Sequence, residues 1–201
     1  MPTTPSTTRP PRLRRMPPAA AFLLAVTAAA WWPSTVWATP EATASAALQD
    51  KQVQGNARLR VWGFEVYDAS LWALPGFDAG RFENQRFGLE LAYLRDFKGA
   101  DIAERSIGEM KDLAPIEPAQ ATRWTQAMSS LFPDVKRGDR ITGVHVPGSG
   151  ARFYLNGRLL GEVADDAFSR LFFGIWLSPK TSQPRMRDTL IQGITGAART
   201  P

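Results

Sequence analysis

Between Tyr93 and Met110 the chain reads YLRDFKGADIAERSIGEM. This stretch sets the acids Asp96, Asp101, Glu104 and Glu109 among Arg95, Lys98 and Arg105, next to Tyr93 and Phe97. Carboxylates and cations at such spacing could share a proton-transfer site. General acid–base work requires them in a dry cleft, where burial and neighbouring charge move their proton affinities. The same spacing also suits the solvated face of a helix. Asp101 and Arg105 then form an i,i+4 pair, a surface contact of about a few tenths of a kcal/mol. Asp112 and Lys111 extend the same charged face.

Other chemistries find less material. The chain has one histidine, His145, and no cysteine, so no thiolate chemistry or disulfide is available. A zinc site needs a cluster of such ligands, and His145 falls in a strand pattern with none nearby. No metal or cofactor is expected. Asp165 and Asp166 could in principle hold a hard cation, but a helix begins there and capping accounts for them. Ser106, Ser129, Ser149 and Ser169 lack a G-x-S-x-G setting, and no phosphate-cradling G-x-x-x-x-G-K-[ST] occurs.

These residues need elements to position them. ARLRVWGFEVYDASLWAL (57–74) is rich in aromatic and β-branched residues without a helical period, and predicts a long strand followed by a second strand or by its own bent continuation around Asp68. LPGFDAGRFENQ (74–85) is turn-rich. RFGLELAYLRDF then alternates, with Phe87, Leu89, Leu91 and Tyr93 on one face, which predicts another strand. Lys98-Gly99 breaks it. Asp101 suits a helix N-terminus, and Ile102, Ile107 and Met110 form an apolar stripe. A second helix covers 118–132, with Pro118 at its start and Trp124, Met128 and Leu131 on one face.

DRITGVHVPG predicts a strand and turn, and GARFYLNGRLLGEV a hairpin with Asn156-Gly157 at its turn. DDAFSRLFFGIWLSP predicts a helix capped by Asp165 or Asp166 that buries Phe168, Leu171, Phe172 and Ile175. A short helix follows Pro184. Strands and helices come in runs, which indicates an α+β fold with a large antiparallel sheet and helices on one face.

The net charge of +5 does not indicate nucleic acid. Arg9, Arg12, Arg14 and Arg15 account for most of it; from residue 39 onward 20 basic residues face 19 acidic ones. Lys136-Arg137 and Arg140 suit a solvated turn, not a phosphate-binding stripe. The early arginines precede AAAFLLAVTAAAWW (19–32), an apolar run too short to span a bilayer comfortably. With PSTVWA after it, residues 1–38 read as a signal peptide processed after Ala38, leaving no stable membrane span, with an uncleaved N-terminal anchor as the alternative. The expected organisation is a linker over 39–52, a domain over 53–195 and a tail over 196–201. A chain exported without cysteines is expected in the periplasm.

Several motifs keep a fixed order: RLRVWGFEVYDASLW, LELAYLRDFKGADIAERS, FPDVKRGDRITGVHVPGSGARFYLNGRLLGEV and FFGIWLSPKTS. In that order they resemble the exported, bacterial branch of the chalcone isomerase-like proteins, across roughly residues 50–195. The resemblance implies an open-faced β-sandwich with a ligand cleft between sheet and helices. It does not bring the isomerase residues with it. Aligned on Val66-Tyr67, the family's threonine position falls at Trp62. Aligned on Gly99, its tyrosine and asparagine positions fall at Ile102 and near Glu109, and its arginine near Asp50 or Lys51. Loss of preorganised donors costs orders of magnitude in rate.

The resemblance therefore implies a non-catalytic periplasmic protein binding a small apolar or amphipathic ligand, such as a fatty acid. Trp62, Phe64, Tyr93 and Ile102 are the expected cleft walls, and Arg95 the expected partner of an anionic headgroup. Two alternatives stand beside it. One is an isomerase or lyase using Tyr93, Arg95 or Glu109 on another substrate. The other is a protein-interaction module whose cleft is filled by its own side chains.

Overall fold

The computed structural model describes residues 43–197, with side chains through residue 192. The expected signal peptide and the tail from residue 198 lie outside the described residues. Six strands form one antiparallel sheet in simple chain order, β1 to β6. They are β1 Gln52–Val61, β2 Phe64–Ala73, β3 Phe87–Tyr93, β4 Arg140–Val146, β5 Gly150–Leu155 and β6 Arg158–Val163. Tight turns join β1 to β2, β4 to β5 and β5 to β6, while residues 74–86, with a short 3-10 helix at Ala79–Asn84, join β2 to β3; the longest connection is β3–β4. There α2 (Gly99–Leu113) and α3 (Pro118–Leu131) are inserted. After β6 come α4 (Asp166–Leu177) and α5 (Pro184–Ala197). Among the described residues no helix is long and apolar enough to cross a membrane.

One face of the sheet carries Ala69, Leu71, Phe87, Leu89, Leu91, Tyr93, Ile141 and Phe153, all buried. The alternation seen in the sequence puts them in phase, since successive strand side chains point to opposite faces. Helix α4 lies on β4 and β5, α5 on β1 and β2, and α2 packs against α3 and α4. The rings of Phe132, Phe153, Phe168, Phe172, Phe173 and Trp176 interlock at centroid separations of 5.0–6.4 Å, mostly edge to face. Such pairs add about 0.5–1.5 kcal/mol each beyond their area.

Two local expectations differ from the structure. The segment read as a linker contains α1 (Ala44–Ala47), capped by Thr43 Oγ1, which accepts from Ala46 N–H at 3.2 Å. Ala44 and Ala47 pack with Val144 and Tyr154 on the face of the sheet opposite the main core. Of the two readings of residues 57–74, two strands is the observed one, but they turn at Trp62-Gly63 and not near Asp68.

Helix α2 starts without a cap from its own flank. Asp134, 35 residues further on, accepts the Gly99 N–H at 3.1 Å and the Lys98 ammonium at 2.6 Å. These contacts hold the Asp134 carboxyl below its usual range, the Lys98 hydrogen bond most. The approach is close enough that a Cβ at Gly99 would lie 1.9 Å from the Phe132 carbonyl oxygen. Backbone cannot retreat as a side-chain end can. Gly99→Ala is therefore expected to cost about 1–3 kcal/mol, the range for overpacking, in a chemical-denaturation measurement. An unchanged midpoint would mean that α2 and the end of α3 do not meet as described.

Candidate functional site

The helix-side end of β2 and β3 brings two tyrosines together. Tyr67 and Tyr93 are directly opposite in the antiparallel ladder, and their rings meet edge to face at 6.1 Å. Tyr93 is buried and also packs on Phe97 at 5.7 Å. Tyr67 is half-buried with its hydroxyl turned inward, where it accepts a hydrogen bond from Trp176 Nε1 at 3.0 Å. Burial pushes both phenols up in pKa; the neighbouring Glu109 adds to this at Tyr67, and Tyr67 adds to it at Tyr93. Both therefore stay protonated at neutral pH. Among the described residues neither phenol proton has an acceptor, so each remains available to donate.

Helix α2 packs on α3 and α4 and adds to the same core. Ile102 is half-buried and packs against the main core, and its carbonyl accepts from Ser106 Oγ at 2.8 Å. Two turns on, Glu109 is only 12% exposed at its side chain. One carboxylate oxygen pairs with Arg105, and the other accepts from Ser182 Oγ at 2.7 Å. Arg105 thus pairs with Glu109 and not, as the spacing also allowed, with Asp101. The charged stretch separates into a solvated face and one carboxylate, Glu109, fixed by two donors.

The remaining expected residues sit elsewhere. Trp62 stands at the β1–β2 turn and is 94% exposed; Phe64 follows it at 62%. Arg95 is exposed, with its guanidinium 5.3 Å from the Phe64 ring centre. The hairpin turn carries Trp62 and Phe64 out into solvent, and Arg95 reaches Phe64 from the exposed segment between β3 and α2. His145 is fully buried: Nδ1 lies 2.6 Å from Ser169 Oγ, and Nε2 donates to the Glu83 carbonyl at 2.9 Å. Asp165 caps α4 through Phe168 N–H at 3.0 Å and accepts from Trp124 Nε1 at 2.8 Å. Among the described residues no three His, Cys, Asp or Glu side chains gather as metal ligands would. A cavity of about 240 Å³ between Val146–Arg152 and Glu162–Ala164 touches none of the expected site residues.

Residue pattern alone did not single out Tyr67, Trp176 or Ser182. Tyr67 lies in phase with Ala69 and Leu71, which was the one available signal. The meeting of Trp176 with Tyr67 spans 109 residues and is invisible to any local window.

Residues 39–192 match the family model described as chalcone isomerase-like. A Haemophilus influenzae protein described as uncharacterized is 29% identical over 150 residues, which cover 74% of this chain and 71% of that protein. The crystal structure of a fatty-acid binding protein of Arabidopsis thaliana is similar in fold, with a TM-score of 0.55 and 14% identity. The likeness covers 74% of this chain and 91% of that one. Identity this low makes the likeness one of fold.

Proposed function

We propose that this chain, which belongs to the chalcone isomerase-like family, is a non-catalytic periplasmic binder of an apolar molecule carrying a carboxylate or carbonyl oxygen, such as a fatty acid. The observation that carries this reading is the Tyr67–Tyr93 pair: two neutral phenols with donor protons to spare, set at the edge of an apolar core. An apolar site with a few polar anchors suits a small amphipathic ligand. Ile102, on α2, is assigned to the apolar wall. Support for the non-catalytic part comes from Glu109. A carboxylate already held by Arg105 and Ser182 is poorly placed to take a proton from a substrate. Support for the periplasm comes from the arginines and the apolar run before residue 33.

Native mass spectrometry of protein recovered from a periplasmic extract tests the reading. The expected result is a chain beginning after Ala38 that carries an apolar adduct. Titration of the delipidated protein with a fluorescent fatty acid then reads the anchors. Hydrogen bonds to a charged group contribute about 1.5–3 kcal/mol each, so Tyr67→Phe and Tyr93→Phe are each expected to weaken binding about tenfold or more. Ile102→Asp should abolish binding, since an unpaired carboxylate in an apolar site is strongly disfavoured. A wild type that takes up no fatty acid ends the reading.

A further inference from the structure

The two hairpin turns of the sheet have the same shape and different sequences. Asn156 and Gly157 turn at φ 49° and 85°; Trp62 and Gly63 turn at φ 49° and 83°. Both have the positive φ at two successive residues that a two-residue type I′ turn requires, between the pairs Leu155–Arg158 and Val61–Phe64. Asparagine enters the left-handed region readily because its short side chain bonds locally, whereas a bulky residue there is strained. Folding alone favours asparagine at both turns. At the first turn the chain instead holds a tryptophan, strained and 94% exposed. Val61 at 38% and Phe64 at 62% continue the apolar tip.

Cations gather beside it. Arg95 rests on Phe64 and forms no ion pair among the described residues. The loop of Lys136 and Arg137 lies against the same segment, with the Arg137 N–H donating to Asp96 at 2.8 Å and the Gly138 N–H to the Tyr93 carbonyl at 2.8 Å. Both side chains are exposed and, among the described residues, without an ion pair. Arg60 on the hairpin itself pairs with Glu65.

We propose that this tip docks on an anionic phospholipid surface, with Trp62 and Phe64 entering the headgroup layer and Arg95, Lys136 and Arg137 meeting lipid phosphates. Tryptophan suits that layer because its ring is apolar and its N–H is polar. Basic residues near an anionic leaflet add attraction that salt screens. A protein groove would satisfy the apolar tip but gives no reason for three exposed cations beside it without an ion pair among the described residues. The proposal goes beyond the ligand reading and stands without it, because the docking residues lie outside the Tyr67–Tyr93 pair.

The test uses protein isolated from cells, sedimented with vesicles of phosphatidylglycerol in phosphatidylcholine or of phosphatidylcholine alone. The expected result is a preference of about tenfold or more for the anionic vesicles, lost as salt is raised. Trp62→Asn builds the second hairpin's turn into the first, so its melting temperature should match or exceed that of wild type while vesicle binding falls about tenfold. Arg95→Gln should reduce the preference for the anionic lipid. Any contribution from residues 19–32 is common to all variants and cancels. Trp62→Asn protein that binds vesicles like wild type overturns the proposal. So does a wild type with no anionic preference. A dimer that Trp62→Asn disperses, with no vesicle binding by either form, would overturn it in favour of self-association.

Discussion

Phe153→Ala is expected to lower the melting temperature by about 10 °C. The change removes a large buried side chain, at about 3–5 kcal/mol, and each kcal/mol moves the midpoint by about 2–4 °C in a domain of this size. The position leaves little room for relaxation. Phe153 is fully buried on β5, a strand paired on both sides, so its backbone cannot move inward. Its ring meets Phe132 at 5.0 Å, Phe172 at 5.1 Å and Phe168 at 6.4 Å. Those three rings come from the end of α3 and from α4, so one truncation loosens the sheet from both helices. Across the ladder sits Gly143, where an added Cβ would come within 3.3 Å of the Phe153 ring. Residues are therefore already fitted to the ring, and an alanine leaves a void that they do not fill. Phe64→Ala is the matched control. At 62% exposure it should shift stability by no more than about 0.5 kcal/mol, as surface substitutions do. Thermal denaturation of the two variants side by side decides it. A Phe153→Ala protein melting like its Phe64→Ala counterpart would contradict the described core.

Much of this architecture was legible in the sequence because it is written locally. Pro118 and the spacing of Trp124 and Met128 fix α3, Asn156-Gly157 fixes the last hairpin, and Asp165 fixes the start of α4. What was not legible was either atypical or distant. The first hairpin hides because its turn opens with tryptophan, a residue that ordinarily marks a strand, leaving Gly63 as the only turn signal. Helix α1 hides because it buries alanines, whose small side chains give no periodic apolar signal. The cap of α2 comes from Asp134, beyond the whole of α3.

The candidate site divides in the same way. Tyr93 and Ile102 follow from strand alternation and from the helix stripe. Tyr67 and Trp176 each sit inside an apolar run that offers no reason to prefer them. Their polar atoms become informative only when the fold brings them to 3.0 Å. Trp62 and Phe64 were expected as cleft walls and Arg95 as a headgroup partner; the turn that exposes Trp62 and Phe64 was the element least visible in the sequence, and Arg95 rests on Phe64 from the segment after β3.

His145 should make the stability of this protein depend on pH in a window where no other side chain contributes. The chain has one histidine. Its Nε2 must carry a proton, since it donates to the Glu83 carbonyl at 2.9 Å. Ser169 Oγ lies 2.6 Å from Nδ1 and 2.9 Å from the Gly150 carbonyl. In the neutral ring Nδ1 and Gly150 compete for the single serine proton. A protonated ring would satisfy all three contacts, with Nδ1–H donating to Ser169 and Ser169 to Gly150. Against that stands the removal of a charge from water. Burial is the largest influence on the ring and holds its pKa below the usual histidine value, ahead of the upward pull of Glu83 and Asp166; Arg170 pushes the same way as burial. The unfolded chain, with an ordinary pKa of about 6.5, therefore takes up a proton first as pH falls. The stability from the neutral, buried ring is complete above about pH 6.5 and declines below it, by at most about 1.4 kcal/mol per pH unit, until the folded ring also protonates. Carboxylates held low by their partners, such as Asp68 beside Arg58 and Asp139 beside Asn156, act in the same direction but only near and below their unfolded value of about 4. Between about pH 6.5 and 5 the slope thus belongs to His145. His145→Phe keeps an aromatic ring and leaves Ser169 bonded to Gly150, but strips the Glu83 carbonyl of its donor, at about 1–3 kcal/mol, and adds some crowding. Denaturation midpoints at pH 7, 6 and 5 should show the wild type losing stability over that range. The variant should begin lower at pH 7 and stay level. Parallel curves would place the pH dependence outside this ring.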